Sequence, residues 1–597
     1  MFCGFSQRPV AHSGLQSVKN LIMRSITALI TTGLFVTSLP LWAVTPTTDI
    51  RVDQAGYLPG APKLAMVLET GAARPAQSFT LRRSTDNSIV YRGQLTAPVF
   101  DKDSGENVAT ADFSSFAGPG KFYLEADGVG RSWDFAIASD VFTRVYYLAM
   151  RAFYGQRCGT KVDLAPDFPQ YKHAVCHLDG AYHESSGKEG PHSSEKGWHD
   201  AGDYGRYVVN GGISTGTLLW AWELYGNQIK KIGLKIPESG NGVPDILNEV
   251  RWNLDWMMSM QEPDGGVFHK QTSAHFSAFI MPEQDKLTSY VIGTGKEPFK
   301  SSCATGDLAA AAAIASRAFR PYDAAYAGKT LRSAESAWKW LQANPNVTFH
   351  NPPGILTGDY GDQQCGDEAL WASVELWRTT GNDTYLQYFL QHYREFLGSI
   401  GPAKTPSWSM VAPLGLWGYV LGQGGNAEAV DAIRRQTTQA AEAIVRRTGA
   451  DPYHVSLTTH DYIWGSNGVA ANYSLVLLIA NRFKPDFRYF QTAMENLHYI
   501  LGRNTFSLSW VTQVGENPFQ HPHHRPSAAD GVDSPWPGLM SGGPNPGRQD
   551  QVMKKLVSAD TLPARAYVDQ TGAYACNEVA INWNAPLVFV LAAALPK

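Results

Sequence analysis

Cysteine is scarce: six residues in 597, at positions 3, 158, 176, 303, 365 and 576. Removing a leader that carries Cys3 leaves five, an odd number too sparse for a disulfide framework in a chain this long. An excess of one charge is also lacking. With 50 basic and 54 acidic side chains the net charge is −4, so no polycationic face is on offer for nucleic acid. Outside the apolar run 26–42, no stretch approaches 18 apolar residues, which excludes a membrane-spanning helix from the mature chain. No repeat of fixed length is visible, which disfavours an open solenoid.

The run 26–42 has its own explanation. Lys19 and Arg24 precede it and Ala43 offers a small-residue cleavage point, so residues 1–43 read as a signal peptide, with Met23 a candidate start. A soluble, exported protein is expected, secreted or periplasmic. At this length two domains, or one large one with an appendage, are expected. Aromatic side chains are plentiful, 17 Trp and 26 Tyr. Any one of them is first a core residue, yet such a stock also suits stacking on the flat apolar faces of sugar rings.

From 49 to 137 the apolar pattern is short and alternating. Phe122 and Leu124 share one face, and Trp133, Phe135 and Ile137 repeat the two-residue period between Gly/Pro turns. This predicts an immunoglobulin-like β-sandwich. D-K-D-S-G-E-N at 101–107 lacks the distal Glu of a calcium loop and reads as a turn. From 138 to 597 the period becomes helical, beginning with the stripe Phe142, Val145, Ala149 and Phe153. Helices are predicted over 140–154, 209–226, 243–261, 303–319, 327–343, 365–379, 382–399, 410–421, 426–447, 466–483, 486–501 and 577–594. Twelve helices suit six hairpins; periodicity alone says only that this part is large and all-α.

Three polar blocks carry the chemistry. At 567–585, Y-V-D-Q-T-G-A-Y-A-C-N-E-V-A-I-N-W-N-A sets Asp569 and Glu578 among aromatic and apolar residues, where burial suppresses ionisation and suits a general acid. A lone Glu here could equally cap or pair within a terminal helix. At 197–204, G-W-H-D-A-G-D-Y holds Asp200 and Asp203 three residues apart in a Gly-containing turn. Such carboxylates interact, and the same spacing also suits Asx-turns. At 509–525, S-W-V-T-Q-V-G-E-N-P-F-Q-H-P-H-H-R ends in His521, His523, His524 and Arg525. These can hydrogen-bond sugar hydroxyls or orient a carboxylate, and they lack the i, i+4 spacing of a helical metal pair.

Together the three blocks resemble glycoside hydrolase family nine, the inverting cellulase family. The resemblance spans about 49–597, with D-I-R-V-D-Q-A-G-Y-L-P at its start similar to the immunoglobulin-like module that precedes the catalytic domain in one branch. It implies an all-β sandwich followed by an all-α (α/α)6 barrel. It implies Glu578 as general acid, Asp203 as base and Asp200 as its helper, with Asp569 and His523 supporting the site. Inversion needs roughly 6.5 to 9.5 Å between acid and base. Arg525, Tyr462, Trp464 and Tyr574 are the candidate substrate contacts, and a β-glucan, met as a monomer, is the expected partner. No binding module is evident after Ala585, so weak action on crystalline cellulose is expected. An exo-acting member of the same fold, such as a β-glucosidase, cellodextrinase or glucosaminidase, stays open if an insertion such as 184–196 blocks the cleft. A non-catalytic carbohydrate-binding protein would be expected to lose one of the carboxylates, and both are here. A zinc-stapled adhesion module leaves the helical bulk unexplained.

Metals enter in two ways. Cys158, Cys176, His177 and His199 make a Cys2His2 set; spacing alone leaves zinc and a Cys158–Cys176 disulfide open, and the resemblance implies structural zinc. Calcium is the candidate for two oxygen-rich loops, one with Glu238, Asn241 and Asp245, the other with Asp359, Asp362, Asp367 and Glu368. Ordinary capping is the alternative at both.

Overall fold

The computed structural model describes residues 45–69 and 76–597; the signal peptide expected over 1–43 lies outside the described residues. Alternating apolar residues build two facing sheets. One has the strand order Ile50–Arg51, Leu64–Leu68, Glu106–Asp112, Val99–Asp101. The other runs Gly56–Tyr57, Phe135–Ile137, Gly120–Ala126, Ser78–Arg83, Ile89–Gln94. Phe79, Leu81, Phe113, Phe122, Leu124 and Phe135 fill the space between them. This is the β-sandwich that the period of two predicts. The 101–107 segment is a turn, in which the Asp101 carboxylate accepts from the backbone N–H groups of Asp103 and Ser104.

Helices begin at Thr143. The long ones are α1 (Thr143–Gly155), α2 (Val208–Ile229), α3 (Asp245–Ser259), α4 (Ser302–Phe319), α5 (Ala324–Ala343), α6 (Gly366–Thr380), α7 (Asp383–Phe396), α8 (Ala412–Leu421), α9 (Ala427–Ala450), α10 (Ser466–Phe483) and α11 (Phe487–Ile500). Short α12 (Arg525–Ala529), α13 (Gln551–Leu556) and α14 (Tyr574–Asn577) precede α15 (Ile581–Ala594). An inner ring of α2, α4, α6, α8, α10 and α15 is packed outside by α3, α5, α7, α9, α11 and α1, giving six hairpins in an (α/α)6 barrel. The sequence shows why. Inner α4 is buried almost throughout, its Ala309–Ala313 run at 0% exposure, whereas outer α7 buries only Tyr385, Phe389 and Tyr393.

Three features depart from expectation. The last predicted helix, 577–594, is broken: α14 ends at Asn577, Glu578 is extended, and α15 starts at Ile581. Tertiary bonds win over helical propensity there, because the Glu578 carbonyl accepts from Gly542 N and the Ile581 N–H goes to the Asp200 carbonyl. The helical region also holds a five-stranded sheet, Pro191–Ser193, Asp179–Tyr182, Ser289–Ile292, Lys270–Thr272, Arg206–Tyr207. Its strands of two to four residues are too short to leave a period. Finally, Cys303 and Cys365 form a disulfide, so the five cysteines among the described residues make one crosslink and three free thiols, Cys158, Cys176 and Cys576.

The sandwich is fastened to the barrel by buried polar contacts. His498 Nδ1 donates to Asp53 Oδ2 at 2.7 Å. Arg51 binds Glu106 at 2.7 and 2.8 Å, and Tyr453 and Arg565 reach the same carboxylate.

Candidate active site

Three chain segments meet at one end of the barrel. Arg525 donates from both its backbone N (3.1 Å) and Nη1 (2.8 Å) to the Gly202 carbonyl. His523 N donates to the Asn577 carbonyl at 2.8 Å, and Ile581 N to the Asp200 carbonyl at 2.9 Å. The turn 200–205, the 521–525 segment and Glu578 are thereby held as one unit. Two glycines allow it. A Cβ at Gly202 would stand 1.8 Å from the His523 carbonyl oxygen, and one at Gly205 would stand 2.7 Å from Asp203 Oδ2.

The three carboxyls differ in surroundings. Asp200, 1% exposed, is clamped at both oxygens, by Asn210 Nδ2 on Oδ1 (2.6 Å) and by the Tyr360 hydroxyl on Oδ2 (2.7 Å). Burial and neighbouring Asp203 raise it to about 7, against the pull of those two donors. Asp203 accepts only on Oδ2 among the described residues, from Gly205 N (3.0 Å) and Tyr207 Oη (3.4 Å), which leaves Oδ1 for water. Glu578 lies well above the usual carboxylate range because its surroundings strip its hydration, with Asp203 and Asp200 adding to the rise. Trp464 Nε1, donating to its Oε2 at 3.2 Å, works the other way. A carboxyl kept protonated beside a carboxylate with a free oxygen is the acid–base pairing that hydrolysis of an acetal linkage needs.

The zinc candidates also meet. One ligand atom from each of Cys158, Cys176, His177 and His199 lies within 4.8 Å of the others. His199 Nε2 is buried without a partner, and His177 turns its other nitrogen, Nε2, towards Asp285 Oδ2 at 3.4 Å. Free thiols, an orphaned imidazole nitrogen and a carboxylate behind a second imidazole fit a tetrahedral thiophilic ion.

The profile of glycosyl hydrolase family 9 matches residues 142–591. The chain belongs to this family. Residues 45–131 match the cellulase N-terminal ig-like domain. Among family relatives, Endoglucanase D of Acetivibrio thermocellus is 37% identical over 577 residues, 95% of this chain and 87% of that protein. The Cellodextrinase of Butyrivibrio fibrisolvens is 34% identical over 565 residues, 92% of this chain and 99% of that protein. A crystal structure of a metagenome-derived family 9 endoglucanase superposes with a TM-score of 0.84 at 37% identity, covering 91% of this chain and 98% of that one.

Within this family member several candidate residues take places other than those expected. Tyr462 is 6% exposed and so is a core residue rather than a stacking surface. Arg525 is 4% exposed; its Nε goes to the Ser277 carbonyl at 3.0 Å and its guanidinium lies over Phe276 and Phe279. Two of its nitrogens brace the site, and Nη2 carries no partner among the described residues. Asp569 lies behind the 520–523 segment, accepting from Gln520 N, His521 N and Asn577 Nδ2 at 2.7 to 2.9 Å. His523 donates from Nδ1 to the Thr571 carbonyl at 2.7 Å, which fixes its tautomer and leaves Nε2 as an acceptor. Trp464, Tyr574, His523 and Phe279 form an aromatic belt with successive ring centroids 5.4, 5.6 and 5.1 Å apart. Phe276 and Phe279 are 46% and 40% exposed and were not singled out from sequence, nor were Asn210, Tyr207 and Tyr360. D-Y at 359–360 was legible only as part of a calcium loop.

The calcium loops divide. Both Glu238 oxygens bind Arg157 at 2.9 and 3.1 Å, Asn241 pairs with Asn248, and Asp245 accepts from Leu234 N and Ser239 Oγ. That loop is accounted for by capping and an ion pair, which corrects the calcium expectation there. Asp359 likewise closes a turn onto Asn351 N at 2.6 Å. Asp362 instead lies near Asp307, Asp367 and Glu368; burial raises all four, and repulsion from neighbouring carboxylates adds to the rise at Asp307, Asp362 and Glu368. Both oxygens of Asp307 and of Glu368, and Asp362 Oδ2, are buried without partners. Oxygens of this kind suit a hard cation, but no three of these four residues bring a ligand atom within 4.8 Å of one another.

Proposed function

We propose that this protein is an exported endo-β-1,4-glucanase that hydrolyses cellulose or related β-glucans with inversion at the anomeric carbon. Glu578 protonates the glycosidic oxygen as the bond breaks. Asp203, through Oδ1, takes a proton from the water that attacks the opposite face, and Asp200 helps hold that water and the turn. The observation that carries this reading is the contrast between the two ends of the site: a carboxyl raised by burial at 578 and one with a free oxygen at 203. The endoglucanase relative, matched along nearly its whole length, supports it. Trp464 and Tyr574 supply stacking faces beside the acid. Zinc at the Cys2His2 set would tie the 158–177 region to the loop bearing Asp200, and a cation among Asp307, Asp362, Asp367 and Glu368 would neutralise buried charge; both are structural. Export is the reading supported by the apolar run 26–42 preceded by Lys19 and Arg24, expected as a signal peptide over 1–43.

A second reading, an exo-acting cellodextrinase, is favoured by one relative of that name. Product profiling separates the two. An endo-acting enzyme lowers the viscosity of a soluble β-glucan early and releases mixed oligosaccharides; glucose or cellobiose alone with viscosity unchanged would reject it.

A further inference from the structure

Lys270 is fully buried, and a lysine in the interior costs free energy unless its ammonium is well met. Its Nζ is met on all three sides, by Asn351 Oδ1 (2.5 Å), Gly358 O (2.7 Å) and Thr357 Oγ1 (3.2 Å). All three acceptors belong to one loop between α5 and α6, which carries Tyr360. On the other side Lys270 is paired across the sheet with Tyr207, its Nζ 5.5 Å from that ring. Tyr207 and Tyr360 pack ring to ring at 4.6 Å. The first hydroxyl reaches Asp203 Oδ2 and the second Asp200 Oδ2.

We propose that Lys270 is a positioning residue for the hydrolytic site: its ammonium gathers the loop 351–360, and through Tyr207 and Tyr360 this sets Asp203 and Asp200. The inference rests on the roles assigned above to Asp203 and Asp200. The titratable groups that face Lys270 are Tyr207 from the paired strand, Asp359 and Tyr360 from the loop, and Asp203 from the turn; His269 beside it is stacked on Phe349 at 3.8 Å. Burial pushes Lys270 down to about 7, while Asp359 and Asp203 act to hold its proton. Only the ammonium form has a donor for each of the three loop acceptors; the neutral amine has two.

The test uses Lys270→Gln, which keeps a hydrogen-bond donor and removes the charge, in the full-length enzyme on a soluble β-glucan. The expected result is a roughly tenfold fall in kcat with KM changed less than about threefold. The alkaline limb of kcat, which Glu578 and Asp200 also shape, should become shallower because one of its titrating groups is gone. A variant that melts like the parent and keeps both kcat and the slope of that limb overturns the proposal. If Lys270→Gln fails to fold, 13Cε-lysine NMR of Asp203→Asn decides instead. Coupling is reciprocal, so removing the Asp203 charge should lower the Lys270 titration midpoint by about half a unit or more; an unmoved midpoint overturns the proposal. An active Asp203→Ala would defeat the parent reading, whereas a dead Asp203→Ala with an unaffected Lys270→Gln defeats only this inference.

Discussion

Trp464 Nε1 donates to Glu578 Oε2 across 3.2 Å, and this indole, 39% exposed, is the donor that opposes burial and the two aspartates at the acid. A bond to the charged form favours ionisation. Removing it in Trp464→Phe should therefore move Glu578 still higher and carry the alkaline limb of kcat upward, by about half a pH unit. The pH profile on a soluble glucan reads the shift; a downward move would mean that the indole holds the neutral acid instead.

Glu578→Gln keeps the shape of the side chain and removes its proton. Hydrolysis of natural glucan should fall by about 10²- to 10⁴-fold, with the melting temperature unchanged. Aryl glycosides with an acidic phenol leave without help and should lose much less. Equal losses on both substrates would speak against Glu578 as the acid.

The disulfide Cys303–Cys365 closes a separation of 62 residues and joins the start of α4 to the residue before α6. Loop-closure entropy predicts that Cys303→Ser with Cys365→Ser costs about 4 kcal/mol against unfolding. Chemical denaturation of the double variant, compared with the parent under non-reducing conditions, measures this. Equal midpoints would mean that packing of the Ala-rich α4 carries the contact unaided.

Long apolar periods made the helices legible from sequence, since each of α1 to α11 overlaps its predicted segment. Glu578 was legible as a residue and not as a conformation. What sets it in an extended segment is Gly542, which bonds Glu578 itself, and the Asp200 carbonyl, which bonds Ile581, partners 36 and 381 residues apart that no local pattern displays. The same limit hid Tyr360 and Lys270, whose partners come from the turn at 200 and the loop at 351–358. Tyr462 is the opposite case: its place beside a polar, aromatic motif suits a stacking surface, and it is core.

A zinc ion held by Cys158, Cys176, His177 and His199 would support both stability and activity. Cys158→Ser, or extended dialysis against a strong chelator, should lower the melting temperature by roughly 5 °C and lose about one zinc per chain, because binding energy at such a site is folding energy. Since His199 adjoins Asp200, kcat should fall in parallel and recover on adding zinc back. Metal analysis that finds no zinc, with a Cys158–Cys176 disulfide by mass, would replace the metal with a crosslink.

Stereochemistry examines the assignment of Asp203 most directly. If Asp203 activates water through its free Oδ1 and never attacks carbon, no glycosyl-enzyme forms, and a β-linkage must release an α-product first. Proton NMR of the anomeric region in the first minutes, before mutarotation, distinguishes the two anomers. An initial β-product would mean retention and would remove Asp203 from its role as base. Asp203→Ala gives the companion signal: activity lost on glucan, then partly restored by azide, a small anion that can enter where the carboxylate and its water stood. Asp200 is clamped by Asn210 and Tyr360 at both oxygens, so Asp200→Ala should cost less than Asp203→Ala and gain nothing from azide. The reverse order would exchange the two roles and leave inversion intact.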